Sequence, residues 1–441
     1  MKPVFMSIFS SKLTLRPAFF FAVFVFWLLA IPMNGPLTAA AGITEATRYF
    51  LLPHVGALAL IGGFCPRHLY VRVAPVAVLL SIILSLILVL LPDYSHLLLP
   101  LLSISGAFVA LRACCRLHDT TAPLACAAAG LIMANLALLL LQLLPGHGFL
   151  PVIVATLPLL LLLLPSPDVP PVVDESFKLW HYLPFIFVFH VVSGLMYAVI
   201  YPAYQHHGLP AGIELPFYIS AVIGALFLVR ISREMALVLG VLLGMAAFVM
   251  LQWESPEAVA MSLFFLQAGQ GFVDLFLLAF LLGFSNPLRA FGFGLATLCL
   301  GIYGGQLVGE QMLVAASPIA MFGHLFLNLA VLTLYLLNRR RSADLVKLAD
   351  AARTITADDS LPEANRIPDS IGRQLSEREH LVLSLSLDGS TYRDIADQLN
   401  ISESTVKTYM KRICDKLGVR GRKGLMAFFH NAHQQPPKEV S

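Results

Sequence analysis

Charge is scarce in this chain. Asp, Glu, Lys and Arg make up 12% of its 441 residues, about half the share an ordinary soluble domain carries. A polypeptide that is also 58% hydrophobic cannot present a water-compatible surface over most of its length, which excludes a simple soluble protein. The scarcity is uneven. Apolar runs long enough to cross a bilayer recur from Ala18 to Leu337, a spanning helix needing about 20 such residues. After Arg341 ordinary charge returns, from Lys347 and Arg353 through Lys438, with a matching number of acids.

Catalytic and metal-binding patterns are missing as well. The six cysteines, at 65, 114, 115, 126, 299 and 414, form no C-x-x-C pair and no regular spacing with histidines, so neither a metal site nor a disulfide framework is indicated. They read as small buried hydrophobes, the adjacent Cys114 and Cys115 included. The chain has no G-x-x-x-x-G-K-[ST] loop, no H-E-x-x-H and no G-x-G-x-x-G after a strand, so no enzyme and no cofactor is expected. A phosphoacceptor receiver domain needs about 120 soluble residues. Only residues 342–371 separate the last apolar run from the tail motif described below, which leaves no room for one.

What is present is a periodic alternation of apolar runs and breaks. Twelve candidate spans follow: about 18 to 33, 49 to 64, 72 to 91, 97 to 111, 122 to 144, 149 to 164, 179 to 201, 212 to 229, 235 to 251, 258 to 283, 288 to 308 and 318 to 337. Lys and Arg are retained on the cytoplasmic side of a membrane, so a correct count puts them on alternate loops. With the N-terminus inside, one side holds Lys2, Lys12, Arg16, Arg67, Arg72, Arg112, Arg116, Lys178, Arg230, Arg233, Arg289 and Arg339 to Arg341, and the other holds Arg48 alone. The pattern predicts a multi-pass protein of the bacterial inner membrane with both termini cytoplasmic. A competing reading of residues 1–41 as a cleaved secretory signal, ending at Ala39-Ala40-Ala41, leaves eleven spans and the same cytoplasmic tail.

The longest polar interruption, Pro165 to Lys178, falls between the sixth and seventh spans. Two six-helix halves joined by such a linker resemble the major facilitator superfamily, over residues 1–338, and the resemblance implies two pseudo-symmetric bundles around a central cavity. That family's G-x-x-x-D-R-x-G-R signature corresponds here to Gly62 to Arg72, which keeps glycines and arginines and lacks the aspartate. The departure points to a bundle retained as a receptor.

Within the tenth span Gln267, Gln270 and Asp274 fall at i, i+3 and i+7 and so share one helical face. An ionisable group inside the bilayer costs a few kcal/mol unless paired or wet. These three are therefore candidates for sensing a small-molecule signal or a proton, with interhelical hydrogen bonding as the equal alternative. His190, His324, Asn328, Asn135 and Gln142 read as helix-to-helix contacts, and Glu214 and Glu310 as solvated rim residues. Gly240-x-x-x-Gly244 and Gly305-x-x-x-Gly309 are close-packing signals.

Residues 339–371 read as a cytoplasmic linker. Helix signals then arrive in close order. Ser376-Glu-Arg-Glu379 and Thr391-Tyr-Arg-Asp394 are capping boxes or close variants, in which a hydroxyl and a carboxylate satisfy opposing backbone amides. Leu381, Val382, Leu383 and Leu385 face the core from a first helix, and Ile395, Ala396 and Leu399 from a second. In the third, Val406, Met410, Ile413 and Leu417 form one buried stripe, with Ser404, Thr408 and Lys411 opposite and Lys407 and Arg412 on the flanks. From Lys407 to Lys423 the chain holds Lys407, Lys411, Arg412, Lys416, Arg420, Arg422 and Lys423 against Asp415 alone, a basic face suited to a DNA major groove.

Leu375-Ser-Glu-Arg-Glu, Ile395-Ala-x-x-Leu399, Ser402-x-x-Thr405-Val-Lys407 and Lys416-Leu-Gly-Val419 together resemble the LuxR-type (GerE-like) DNA-binding domain over residues 372–432. The resemblance implies a four-helix helix-turn-helix module that binds double-stranded DNA. By position, Lys407, Thr408 and Lys411 meet bases, and Thr405, Arg412, Lys416 and Arg420 meet phosphates. A fourth helix from Arg422 to His430 pairs two copies, and residues 433–441 form a disordered tail. Tyr409, Arg412 and Cys414 depart from the family's usual residues.

The expected fold class is all-α, a polytopic bundle of twelve transmembrane helices with a small C-terminal helix-turn-helix domain. The expected function is a membrane-bound one-component transcriptional regulator that senses a signal through its bundle. The alternative is a small-molecule transporter with a fused regulatory DNA-binding tail.

Overall fold

A computed structural model describes residues 15–43, 45–120, 122–143, 148–164, 179–231, 233–253, 255–311, 323, 328, 375–387, 389–399, 401, 403–419 and 421–432. Among them are helices and turns and no strand. The chain divides into two compact units, Met1–Tyr335 and Leu336–Ser441.

The first unit begins with α1 (Leu15–Ala30), a short α2 (Pro36–Ala40), α3 (Ala46–Phe64), α4 (Arg67–Leu90), α5 (Ser95–His118), α6 (Pro123–Leu143) and α7 (Phe149–Thr156, continued as a 3-10 helix over Leu157–Leu163). It continues with α8 (Leu179–Leu195, then a π-helical turn Met196–Ile200), α9 (Tyr201–His206), α10 (Leu215–Ile231), α11 (Arg233–Met250), α12 (Pro256–Leu281) and α13 (Pro287–Gln311). Eleven of the twelve expected spans are thus helical. The twelfth lies outside the described residues, apart from Gly323 and Asn328, both helical.

Among the described residues six helices are long and apolar enough to cross a membrane, and four shorter ones are apolar. Large side chains such as Leu60, Phe64, Val76, Ile83, Leu140 and Leu242 point outward, as they must where the surrounding solvent is hydrocarbon. A lipid solvent also explains the absence of strands from the described residues: a helix satisfies its own backbone, and an open sheet edge does not.

Helix α5 runs seven residues past the expected end at 111. The sequence reading stopped at the first arginine, but here arginines are accommodated. Pro158 lies near the start of the 3-10 turn that ends α7, and the carbonyls at its far end accept from α5. Arg112 Nε donates to Leu162 O at 2.6 Å, and Arg116 donates to Leu161 O and Leu164 O.

Packing follows a repeat of six spans. The first span, α1, packs on the fifth, α6, as the seventh, α8, packs on the eleventh, α13; α3 packs on α5 as α10 packs on α12; α4 packs on α5 as α11 packs on α12. Across the halves α3 meets α13 and α10 meets α6, the same contact seen from each side of a pseudo-two-fold axis. Glycines make these crossings close. A Cβ on Gly62 of α3 would stand 2.8 Å from Gly292 Cα of α13. One on Gly305 of α13 would stand 2.8 Å from Gly194 Cα of α8 and collide with the Val191 carbonyl. One on Gly240 of α11 would meet Val273 Cγ2 of α12 at 2.7 Å.

The second unit holds α14 (Glu377–Leu387), α15 (Tyr392–Leu399), α16 (Glu403–Leu417) and α17 (Gly421–Ala432). Val382, Leu383, Leu385, Ile395, Ala396, Val406, Met410, Ile413, Cys414, Leu425 and Phe429 form one core, with Leu399 and Leu417 packed against it. Both cap motifs close. Ser376 N donates to Glu379 Oε2 at 2.8 Å and Glu379 N to Ser376 Oγ at 3.3 Å; Thr391 N donates to Asp394 Oδ2 at 3.0 Å and Asp394 N to Thr391 Oγ1 at 3.2 Å.

Adjacent glycines of α13 separate packing from propensity. Gly304→Ala meets only Phe187 Cζ at 3.9 Å and is expected to be neutral or to stabilise by up to about 1 kcal/mol. Gly305→Ala drives a methyl into backbone and is expected to cost about 3 kcal/mol or more. Thermal unfolding of the two full-length variants in detergent measures the contrast; equal midpoints refute the assigned contact.

Candidate functional site

Among the described residues of the membrane unit, acidic side chains are confined to helix ends with one exception. Every described acid other than Asp274 lies at or within two residues of a helix end. Asp274 sits well inside α12, on the face it shares with half-buried Gln267 and buried Gln270. Tyr218 of α10 donates its hydroxyl to Asp274 Oδ2 at 2.8 Å. His190 of α8 places Nε2 3.9 Å from Asp274 Oδ1, and its Nδ1 lies 2.7 Å from the carbonyl of Ile186. Gln270 Nε2 donates to Ser193 Oγ, also on α8.

The expected trio on α12 is therefore joined by His190, Ser193 and Tyr218 from two other helices. His190 read from the sequence as an ordinary helix contact; its partner turns out to be the carboxylate. Tyr218 and Ser193 carried no sequence signal, because a single hydroxyl on an apolar helix has no periodicity to mark it. The carboxylate retains 28% of its side-chain surface, whereas the His190 side chain retains 3%. Asp274 is thus partly exposed and His190 is buried beside it.

The other polar residues divide. Asn135 Nδ2 donates to Leu131 O of its own helix at 2.9 Å. Glu214 corrects the rim reading: it is buried and turns back to accept from Gly212 N at 2.9 Å, closing the turn before α10 instead of reaching water. Glu310 is exposed. His324 lies outside the described residues. All six cysteines are free, and no group of His, Cys, Asp and Glu suited to a metal ion occurs among the described residues.

In the second unit α16 buries Val406, Met410, Ile413 and Cys414. Its other side presents exposed Lys407, Lys411, Arg412 and Lys416, with Thr405 and Thr408 half-buried between. Arg420 lies outside the described residues, as do the side chains of Ser404, Arg422, Lys423 and His430. Two of the bases already have acidic partners that the sequence count did not foresee. Lys407 pairs with Glu403 one turn earlier at 2.9 Å, both exposed; such a pair is worth about 0.3–0.5 kcal/mol and yields readily to a phosphate.

Lys416 is different. Its Nζ reaches Glu379 Oε2 at 2.5 Å, with side-chain exposures of 42% and 5%, so an exposed base of α16 is anchored to the buried acid that caps α14. Burial alone pushes the Glu379 carboxyl up, but the hydrogen bonds from Lys416 and Ser376 outweigh it and hold the group below its ordinary value. Asp394 is lowered by its bonds from Thr391. Arg378 Nη1 reaches Tyr409 OH at 3.4 Å, giving the residue that departs from the family pattern a partner on α14.

Residues 373–429 match the family described as "Bacterial regulatory proteins, luxR family", and the second unit carries that family's DNA-binding helix-turn-helix domain. The membrane unit resembles solved transporters of the major facilitator superfamily. One is the human organic anion transporter MFSD10 (TETRAN), with 14% identity over 72% of this chain and 97% of that one and a TM-score of 0.50. Another is FucP, a Major Facilitator Superfamily transporter in the outward conformation, with 12% identity over 72% of this chain and 98% of that one and a TM-score of 0.50. At such identities the likeness establishes the fold. No curated protein matches the chain.

The Lys416–Glu379 pair sets two expectations. Lys416→Ala leaves a buried carboxylate short of its strongest donor, at a cost of about 1–3 kcal/mol, so limited proteolysis within 375–432 of the full chain should quicken roughly tenfold. Because the folded Glu379 value is depressed, its stabilisation is present above the unfolded value near 4.3 and is lost as pH falls through the folded one. Protease resistance of this unit should therefore weaken on acidification in the wild type and less steeply in Glu379→Gln. Identical pH profiles refute the assignment.

Proposed function

We propose that this chain is a membrane-bound one-component transcriptional regulator, in which a small-molecule signal taken up by the transmembrane bundle changes how the C-terminal domain engages promoter DNA. The observation that carries the reading is the joining of a luxR-family domain at 373–429 to a polytopic bundle with no soluble sensor domain between them in the sequence. The fourteen bases named above on one side of the membrane against Arg48 on the other support cytoplasmic termini. That orientation in the bacterial inner membrane keeps the DNA-binding domain beside the chromosome.

In this reading residues 1–338 are the sensor, 339–371 the linker, 372–432 the DNA-binding domain and 433–441 a tail. Lys407, Thr408 and Lys411 read bases, while Thr405, Arg412, Lys416 and Arg420 contact phosphates. Lys416 then serves twice, as a structural pair and as a backbone contact. The helix from Arg422 to His430 pairs two copies on a palindromic site. Gln267, Gln270 and Asp274 belong to the signal site.

A second reading, a transporter whose fused tail reports on its cargo, is favoured by the fold shared with transporters and by the part-exposed Asp274. Uptake into vesicles that survives deletion of 372–441 and vanishes in Asp274→Asn supports it.

Genome-wide immunoprecipitation of the full chain is expected to recover discrete enriched sites, lost in a Lys407→Ala, Lys411→Ala double variant of undiminished abundance. Loss of the two exposed bases should weaken specific binding about tenfold or more. An absence of enriched sites for the wild type removes the regulator reading, as does a periplasmic location for a reporter fused after Ser441.

A further inference from the structure

Two acceptor atoms on different helices lie 3.9 Å apart in the membrane unit. The Ile186 carbonyl only accepts, so the His190 hydrogen belongs on Nδ1, 2.7 Å away, and Nε2 of the neutral ring presents a lone pair. Nε2 lies 3.9 Å from Asp274 Oδ1 and is buried with no hydrogen-bond partner among the described residues. A buried acceptor without a donor costs about 1–3 kcal/mol. Here it is matched by a carboxylate whose other oxygen accepts from Tyr218. None of the arginines of this unit whose side chains are described, Arg16, Arg48, Arg67, Arg72, Arg112, Arg116 and Arg289, is paired with Asp274.

We infer that His190 and Asp274 form the two-point acceptor of a binding site for an organic cation bearing a primary or secondary ammonium group. One ammonium nitrogen donates simultaneously to Asp274 Oδ1 and His190 Nε2, each at about 2.8 Å, the ordinary charge-assisted length. The 3.9 Å separation suits such a bridging donor. A lone proton shared by the pair closes it to direct contact, at about 2.7–2.9 Å. Tyr218 holds the carboxylate in place from its far oxygen.

The inference rests on the reading of this cluster as the signal site and extends it to the chemistry of the signal. It also supplies a path. An ammonium bridging the pair holds α8 and α12 at this separation, and α8 lies backbone to backbone against α13 through Gly194 and Gly305, which in turn meets α3 of the other half through Gly292 and Gly62.

The test uses the purified full chain in detergent with 2-phenylethylammonium as probe and 2-phenylethanol as its uncharged counterpart. At saturating amine the unfolding midpoint is expected to rise by about 2 °C or more; the alcohol leaves it unchanged. Asp274→Asn abolishes the response, and Tyr218→Phe, which keeps the carboxylate, retains it. Should Asp274→Asn not fold, His190→Leu takes its place and reduces the shift by about half or more. An absent amine shift, an equal shift from the alcohol, or a full response in the folded Asp274→Asn or His190→Leu variant overturns the proposal. So does stabilisation by acid alone that depends on Asp274, which makes the ligand a proton. No DNA enters the measurement, so a failure of the promoter experiments leaves it standing, and its own failure leaves the regulator reading intact.

Discussion

Hydrocarbon offers no hydrogen bonds, and that constraint organises the membrane unit. Each backbone amide must find its partner within its own helix, and each polar side chain must find one on a neighbour. Arg112 and Arg116 lie against the carbonyls that the 3-10 turn after α7 leaves open; Trp27 Nε1 donates to Ser85 Oγ at 2.9 Å, and His54 Nδ1 lies 2.8 Å from the Ser103 carbonyl. A few buried side-chain atoms have no partner among the described residues, Tyr70 OH, Gln142 Oε1, Ser262 Oγ and His190 Nε2, and the last lies beside a part-exposed carboxylate.

The same constraint explains why so much of the fold was legible. Helices in lipid are long, uninterrupted and bounded by charge, so composition alone located eleven described spans to within a few residues. Errors arose where a polar residue was accommodated internally instead of marking an end. The arginines of α5 suggested a boundary seven residues early, and Glu214 suggested a wet rim where the chain buries a turn. The first depends on a tertiary partner, Leu162, that no local window contains; the second depends on a turn contact to Gly212, two residues away, that composition does not mark.

The candidate sites were legible to different depths. Periodicity placed Gln267, Gln270 and Asp274 on one face, because that relation lies within one helix. Tyr218, Ser193 and the Asp274 partnership of His190 come from α8 and α10, and relations between helices distant in sequence leave no trace in a single chain read along its length. The C-terminal domain shows the converse. Its capping boxes and buried stripe are local and were visible, whereas the Lys416–Glu379 pair joins residues thirty-seven apart and turns an apparently free groove base into a structural one.

Coupling between the two units, in the proposed reading, turns on differential affinity. A ligand shifts an equilibrium only to the extent that it binds one state better, and a move from one part in a hundred to ninety-nine requires a preference of about ten-thousand-fold. A site that is merely occupied is therefore insufficient; its geometry must change between states. His190 and Asp274 meet that requirement because they sit on different helices, so the distance between the two acceptors is itself a conformational coordinate. Since α8 is bound to α13 through glycines that admit no side chain, α8 cannot tilt without displacing α13, and the interface of α13 with α3 carries the displacement into the other half. A two-point acceptor split between α8 and α12 converts ligand affinity into helix position, whereas the same groups on one helix would bind the same ligand and report nothing.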